Sequence, residues 1–80
     1  MSYDVAVDFM DMTNDRRLFA RLKDAGPAVV VAVGGYLVVG CEDADPAVAR
    51  VLSIDPDGVM ELEVLRGPVE SHSALVSSSA

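Results

Sequence analysis

Two side chains in this sequence could together supply a nucleophile and its base: Cys41 and His72, each the only residue of its type. A cysteine nucleophile needs a neighbouring base to hold it as thiolate. No motif surrounds either residue, so Cys41 reads as a small buried hydrophobe at a strand end and His72 as a residue of the tail. The same pair is too small a donor set for zinc, which takes four ligands in structural sites. Carboxylates are more plentiful. Glu42, Asp43, Asp45, Asp55 and Asp57 fall in two expected loops, and oxygen donors of this kind hold calcium. Their order does not follow an EF-hand, whose ligands alternate around a central glycine, so they read as turn formers and solvated acids. Asp8 and Asp11 could be paired for acid–base work, but no pocket or electrophile accompanies them. The glycines of Val33-Gly34-Gly35-Tyr36 lack the Lys-Ser/Thr that follows in a phosphate loop. The expectation is a protein with no catalytic residues, no cofactor and no metal, and not an enzyme.

Charge narrows the partners. Thirteen acids against six bases give a net charge of −7, which repels the phosphates that drive nucleic-acid binding; no nucleic-acid partner is expected. The bases are clustered, with Arg16, Arg17, Arg21 and Lys23 inside eight residues. That cluster reads as the solvated face of a helix, with a local anion-binding surface as the lesser alternative. Asn14, Lys23 and Ile54 are single representatives of their types and Gln is absent. The residues that dominate are those with GC-rich codons, which suggests a bacterial source. Acids stand where a signal peptide would carry basic residues, so a cytoplasmic location with a reduced Cys41 is expected.

These side chains must be positioned by few elements, because 80 residues make one small domain, here 1–80, with a core near the lower limit of self-sufficiency. Tyr3, Val5, Val7 and Phe9 alternate with Asp4, Ala6, Asp8 and Met10, which predicts an edge strand over 3–10. Thr13 or Asn14 followed by Leu18, Phe19, Leu22 and Ala25, with Gly26-Pro27 as the stop, predicts a helix over 13–25. Gly26 to Cys41 carries no charge over sixteen residues. It is too short and too glycine-interrupted for a membrane span, and its valines favour strands. No membrane association is expected. Ala28–Val33 and Tyr36–Gly40 read as strands, either paired through Gly34-Gly35 or with the first as an irregular lead-in to the second. Cys41–Pro46 reads as a polar loop. Asp55-Pro56-Asp57-Gly58 is a strong turn, preceded by a strand with Ala49 and Val51 on one face. Ile54 joins that face only if the strand bulges near Ser53. After the turn, Met60, Leu62 and Val64 should be buried, with Glu61 and Glu63 wet. Pro68 could open a short helix through Val76, and 77–80 reads as a frayed tail.

From Gly35 to Gly67 the order of these features resembles the core of SH3-like barrels of the Tudor and KOW type. The residues that carry it are Gly35, Val38, Ala49, Val51, Ile54, Asp57, Gly58 and Leu62. The resemblance implies a small, SH3-like, strongly bent antiparallel sheet or barrel; with the elements read above, the expected fold is mainly β (α+β), barrel strands over 28–66 with one N-terminal α-helix. It does not carry over methyl-group reading, which needs an aromatic cage where this segment has Tyr36 alone. Nor does it carry over RNA contact, which basic residues mediate in KOW barrels.

Two functions are compatible with this reading. One is a non-enzymatic, small acidic protein-interaction module that self-associates, most simply as a homodimer, and binds a protein partner. The net charge favours a basic one. The candidate surface is Val29, Val31, Val33 and Tyr36 with the acidic rim Glu42, Asp43 and Asp45. The other is an acidic antagonist or nucleic-acid mimic, immunity-like, that occupies a basic partner; it would need acids spaced along one exposed face.

Overall fold

A computed structural model describes residues 3–26, 29–42 and 44–79, with side chains through 76. Five strands form one sheet: β1 (Val5–Ala6), β2 (Arg17–Arg21), β3 (Tyr36–Cys41), β4 (Ala44–Ile54) and β5 (Val59–Val64), in the order β1-β3-β4-β5-β2. A short helix, α1 (Ser73–Ser79), follows a 3-10 turn at Val69–His72. The main architecture is thus β, as the alternating segments indicate. The sheet is mixed rather than antiparallel, because β1 runs parallel to β3.

The helix expected over 13–25 is not there. Its centre is strand β2, antiparallel to β5 with Leu18 opposite Leu62 and Ala20 opposite Met60. The apolar spacing of Leu18, Phe19 and Leu22 fits a helix, but Leu18 and Ala20 also fit the alternation of a strand, and β5 needs a neighbour. Two local features settle the contest. Thr13 does not cap a helix; its Oγ1 accepts from the Arg17 amide at 3.0 Å and its own amide donates to the Arg17 carbonyl at 2.9 Å, which closes a tight loop. Inside that loop Arg16 has φ of +61°, a left-handed conformation that no helix interior tolerates. The helix the chain does have, short and C-terminal, lies where Pro68 signals it.

The strand expected over Ala28–Val33 is likewise absent from 29–33; Ala28 lies outside the described residues. Residues 29–35 are irregular and end in a turn in which the Gly35 amide donates to the Ala32 carbonyl and Gly34 has φ of +87°. β3 already has β1 on one side and β4 on the other, so a strand here would find no ladder to join. The irregular lead-in is the alternative that holds. Residues 3–10 hold a strand of two residues, followed by a 3-10 turn (Phe9–Asp11) whose Met10 amide donates to the Asp8 carboxylate.

The sheet curls into a half-barrel because β4 is long and doubly bulged. Its register against β3 shifts between Val39 and Cys41, where β4 carries Pro46, and its register against β5 shifts between Val51 and Ser53. Bulges bend a strand and increase its twist, and Pro46, with no amide to give, suits the first of them. The second is the bend that Ile54 requires to reach the core. Across the far side, a 3-10 turn (Leu22–Asp24) extends β2 to Ala25, which forms an isolated bridge with Val5. The ring of pairings thereby returns to β1. Inside lie Val5, Leu18, Ala20, Leu37, Val39, Ala49, Val51, Met60, Leu62 and Val64. On the opposite face Val38 and Val48, paired with each other, are also buried. The C-terminal segment covers them, with α1 against β3 and the 3-10 turn against β4.

Candidate interaction surface

The uncharged segment before β3 divides its side chains. Val29 and Val31 are half-buried against the core, while Val30 is 83% and Val33 63% exposed. The bonds that impose this are those from the Gly34 amide to the Val51 carbonyl (2.8 Å) and from the Val51 amide to the Gly35 carbonyl (2.9 Å). They pin the turn to β4 and leave the valines before it on a raised lip. Beneath the lip lies a groove of about 360 Å³, lined by Val30, Ala32, Tyr36, Leu37, Val51 and Leu75 among others, none of them charged. Tyr36 is half-buried at its floor. Of the expected surface residues, Tyr36 lines this groove, and Val33 stands exposed between Ala32 and Gly34 of its lining; Val29 and Val31 turn inward. Glu42 and Asp45 are exposed at the β3–β4 connection, and Asp43 lies outside the described residues. Leu75 and Val51 were not foreseen as parts of the surface. Their signal was weak in sequence, because both belong to ordinary apolar patterns of other elements.

The other reactive groups are structurally engaged. His72 Nε2 is 2.6 Å from the Arg66 carbonyl oxygen, which ties the C-terminal turn to the end of β5 across Gly67. Cys41 ends β3 opposite Ala44 and is half-buried. Among the described residues no group of three or more His, Cys, Asp or Glu is placed to hold a metal ion. Several acids serve the backbone. Asp55 Oδ1 accepts from the amides of Asp57 and Val59, both at 2.9 Å, and Asp4 Oδ2 accepts from Val38 at 3.0 Å. The basic cluster is split by β2. Arg16 turns inward and donates to the carbonyls of Val64 (3.0 Å) and Leu65 (3.4 Å). Arg17 pairs with Glu61 at 3.1 Å, and Arg21 and Lys23 are exposed. The bases thus line a strand and its exit instead of a helix face. No described helix is long and apolar enough to cross a membrane. Comparison with protein-family models, curated proteins and solved structures finds no match for this chain.

Proposed function

We propose that the chain is a non-enzymatic, small acidic protein-interaction module of the bacterial cytoplasm that pairs with a second copy of itself across the uncharged groove. The observation that carries this reading is the exposed lip of Val30 and Val33 beside an apolar groove with no charged lining, in a chain of net charge −7. Two copies of like charge repel, and salt screens them only beyond about 8 Å. A contact free of charge is where their association costs least. Lip and groove are adjacent, so a two-fold axis lets each copy seat its Val33 in the other's groove, the isologous arrangement that closes a dimer. The same reading takes the curled sheet as an SH3-like barrel; the 3-10 turn that carries β2 to its bridge with Val5 supports it. The use of Asp4, Asp8 and Asp55 in local backbone bonds favours the module over an acidic mimic, whose carboxylates must be free to face a partner.

The test is a mixed sample in which half the chains are methyl-labelled. The expected result is a set of intermolecular contacts joining the methyls of Val30 and Val33 to that of Leu75. Intermolecular contacts elsewhere, or none at millimolar protein, would sink the groove as the docking face.

A further inference from the structure

The open edge of the sheet is β2, and its backbone phase can be read from the bonds at its two ends. The Val64 amide donates to the Arg16 carbonyl, and the Leu22 amide to the Gly58 carbonyl, both at 2.8 Å. Alternate residues of an antiparallel strand bond to the same neighbour. With Leu18 opposite Leu62 and Ala20 opposite Met60, Leu18 and Ala20 turn their amides and carbonyls to β5, while Arg17, Phe19 and Arg21 turn theirs outward. Thr13 satisfies both outward groups of Arg17. Phe19 is left with an outward amide and carbonyl and Arg21 with an outward amide, none with a backbone partner there among the described residues, while the Arg21 carbonyl opens the 3-10 turn Leu22–Asp24.

The side chains above this edge are as uneven as its backbone. Phe19 is 65% exposed, flanked two residues away by Arg17 and Arg21. Arg21 and Lys23 form no ion pair among the described residues. Proteins commonly blunt an open edge with charge, and this one excludes a second copy in that way. Antiparallel registers of β2 on β2 centred on Phe19, Ala20 or Arg21 set Arg17 against Arg21, Arg17 against Lys23, and Arg21 against Arg21. Like charges directly opposite one another are destabilising. The same charges attract an acidic strand. Locally the edge reverses the expectation from net charge, which favours a basic partner.

We propose that the β2 edge takes an extended segment of a partner protein that alternates acid, apolar, acid, added to the sheet as one further strand. Such a segment satisfies the three outward groups, the Phe19 amide and carbonyl and the Arg21 amide, lays its apolar side chain on Phe19, and sets its acids beside Arg17 and Arg21. Main-chain bonds supply affinity and alternate side chains supply specificity, as in other strand additions. The proposal rests on the interaction-module reading and adds a partner chemistry at a surface separate from the groove.

The experiment titrates isotopically labelled chain at low salt with the peptide acetyl-Ser-Glu-Thr-Val-Thr-Glu-Ser-amide, and with its twin carrying lysine at both glutamates. The expected result is saturable shifts centred on the Phe19 and Arg21 amides for the acidic peptide and none for the basic one. Arg21→Glu, an exposed substitution, should weaken the acidic peptide about fivefold, because opposed charges become like charges across the ladder. Equal response to both peptides, shifts centred on Val33 and Tyr36, or no saturable shift would overturn the proposal. Translational diffusion in the same samples reads the dimer separately. A failed titration in an intact dimer removes the edge and keeps the groove; a monomer that binds the acidic peptide does the reverse.

Discussion

Arg16 shows how much one residue is asked to do in a chain this short. Its guanidinium holds the carbonyls of Val64 and Leu65, where β5 ends and the chain leaves for the C-terminal turn, and its backbone sits at φ of +61°. Hydrogen bonds from a charged donor contribute about 1.5–3 kcal/mol each when part-buried, and a left-handed residue with a Cβ costs about 1–2 kcal/mol. Arg16→Ala should lose both bonds, of which only the 3.0 Å one to Val64 has a strong geometry, and keep the strain, for a net loss of about 1.5–3 kcal/mol in denaturant unfolding. Arg16→Gly should be milder than Arg16→Ala by roughly 1 kcal/mol, since it also relieves the strain. Equal stability of all three would mean that the clamp carries nothing. Leu62 tests the core in the same way. It is fully buried between Leu18 and Val51, so Leu62→Ala should cost about 2–5 kcal/mol; an effect within error would place it on the wrong face of β5. Leu62 was legible from Met60-x-Leu62-x-Val64 alone, and the Asp55–Gly58 turn from its residue types. Arg16 was not, because nothing in Asp15-Arg16-Arg17 announces a left-handed residue or a reach to a carbonyl forty-eight positions away.

At the scale of elements, the legible parts are those in which one pattern has one solution. The β4–β5 hairpin is of that kind: the turn fixes its end, the alternation fixes its inner face, and Ile54 predicts the bulge. β2 is the opposite case. Over five residues the helical and the alternating readings share Leu18, and the vacancy beside β5, with the Thr13 loop and the left-handed Arg16 before it, decides between them. The expected strand at Ala28–Val33 failed for the converse reason, as strand-forming residues leading into β3, whose two sides β1 and β4 already hold. Hydrogen exchange tests the β2 assignment amide by amide. Leu18 and Ala20 should be protected through β5, while Phe19 and Arg21 exchange quickly from the open edge. Uniform protection across 18–21, as a helix interior gives, would contradict both the strand and the phase on which the acidic-strand proposal stands. The groove was half legible. The uncharged run marked the segment, but the surface expected on it was Val29, Val31 and Val33, and the turn at Ala32–Gly35 keeps Val33 outside while it presents Val30 in place of Val29 and Val31.

For the whole molecule, the question is how a chain of 80 residues and net charge −7 accommodates an apolar lip that it does not bury. The half-barrel uses its own curvature, its Val5–Ala25 bridge and its C-terminal segment to cover both faces of the central strands. What remains outside, apart from Met10, Phe19 and Leu22, is the groove with Val30 and Val33, and an exposed uncharged patch of this kind marks an interface. Sedimentation equilibrium over a range of concentrations up to tens of micromolar is the direct measurement. The wild-type chain should approach twice its 8.4 kDa as concentration rises, and Val33→Asp, folded to the same spectrum, should stay at the mass of one chain. A wild-type chain that remains soluble, folded and at the mass of one chain over the whole range would contradict the dimer.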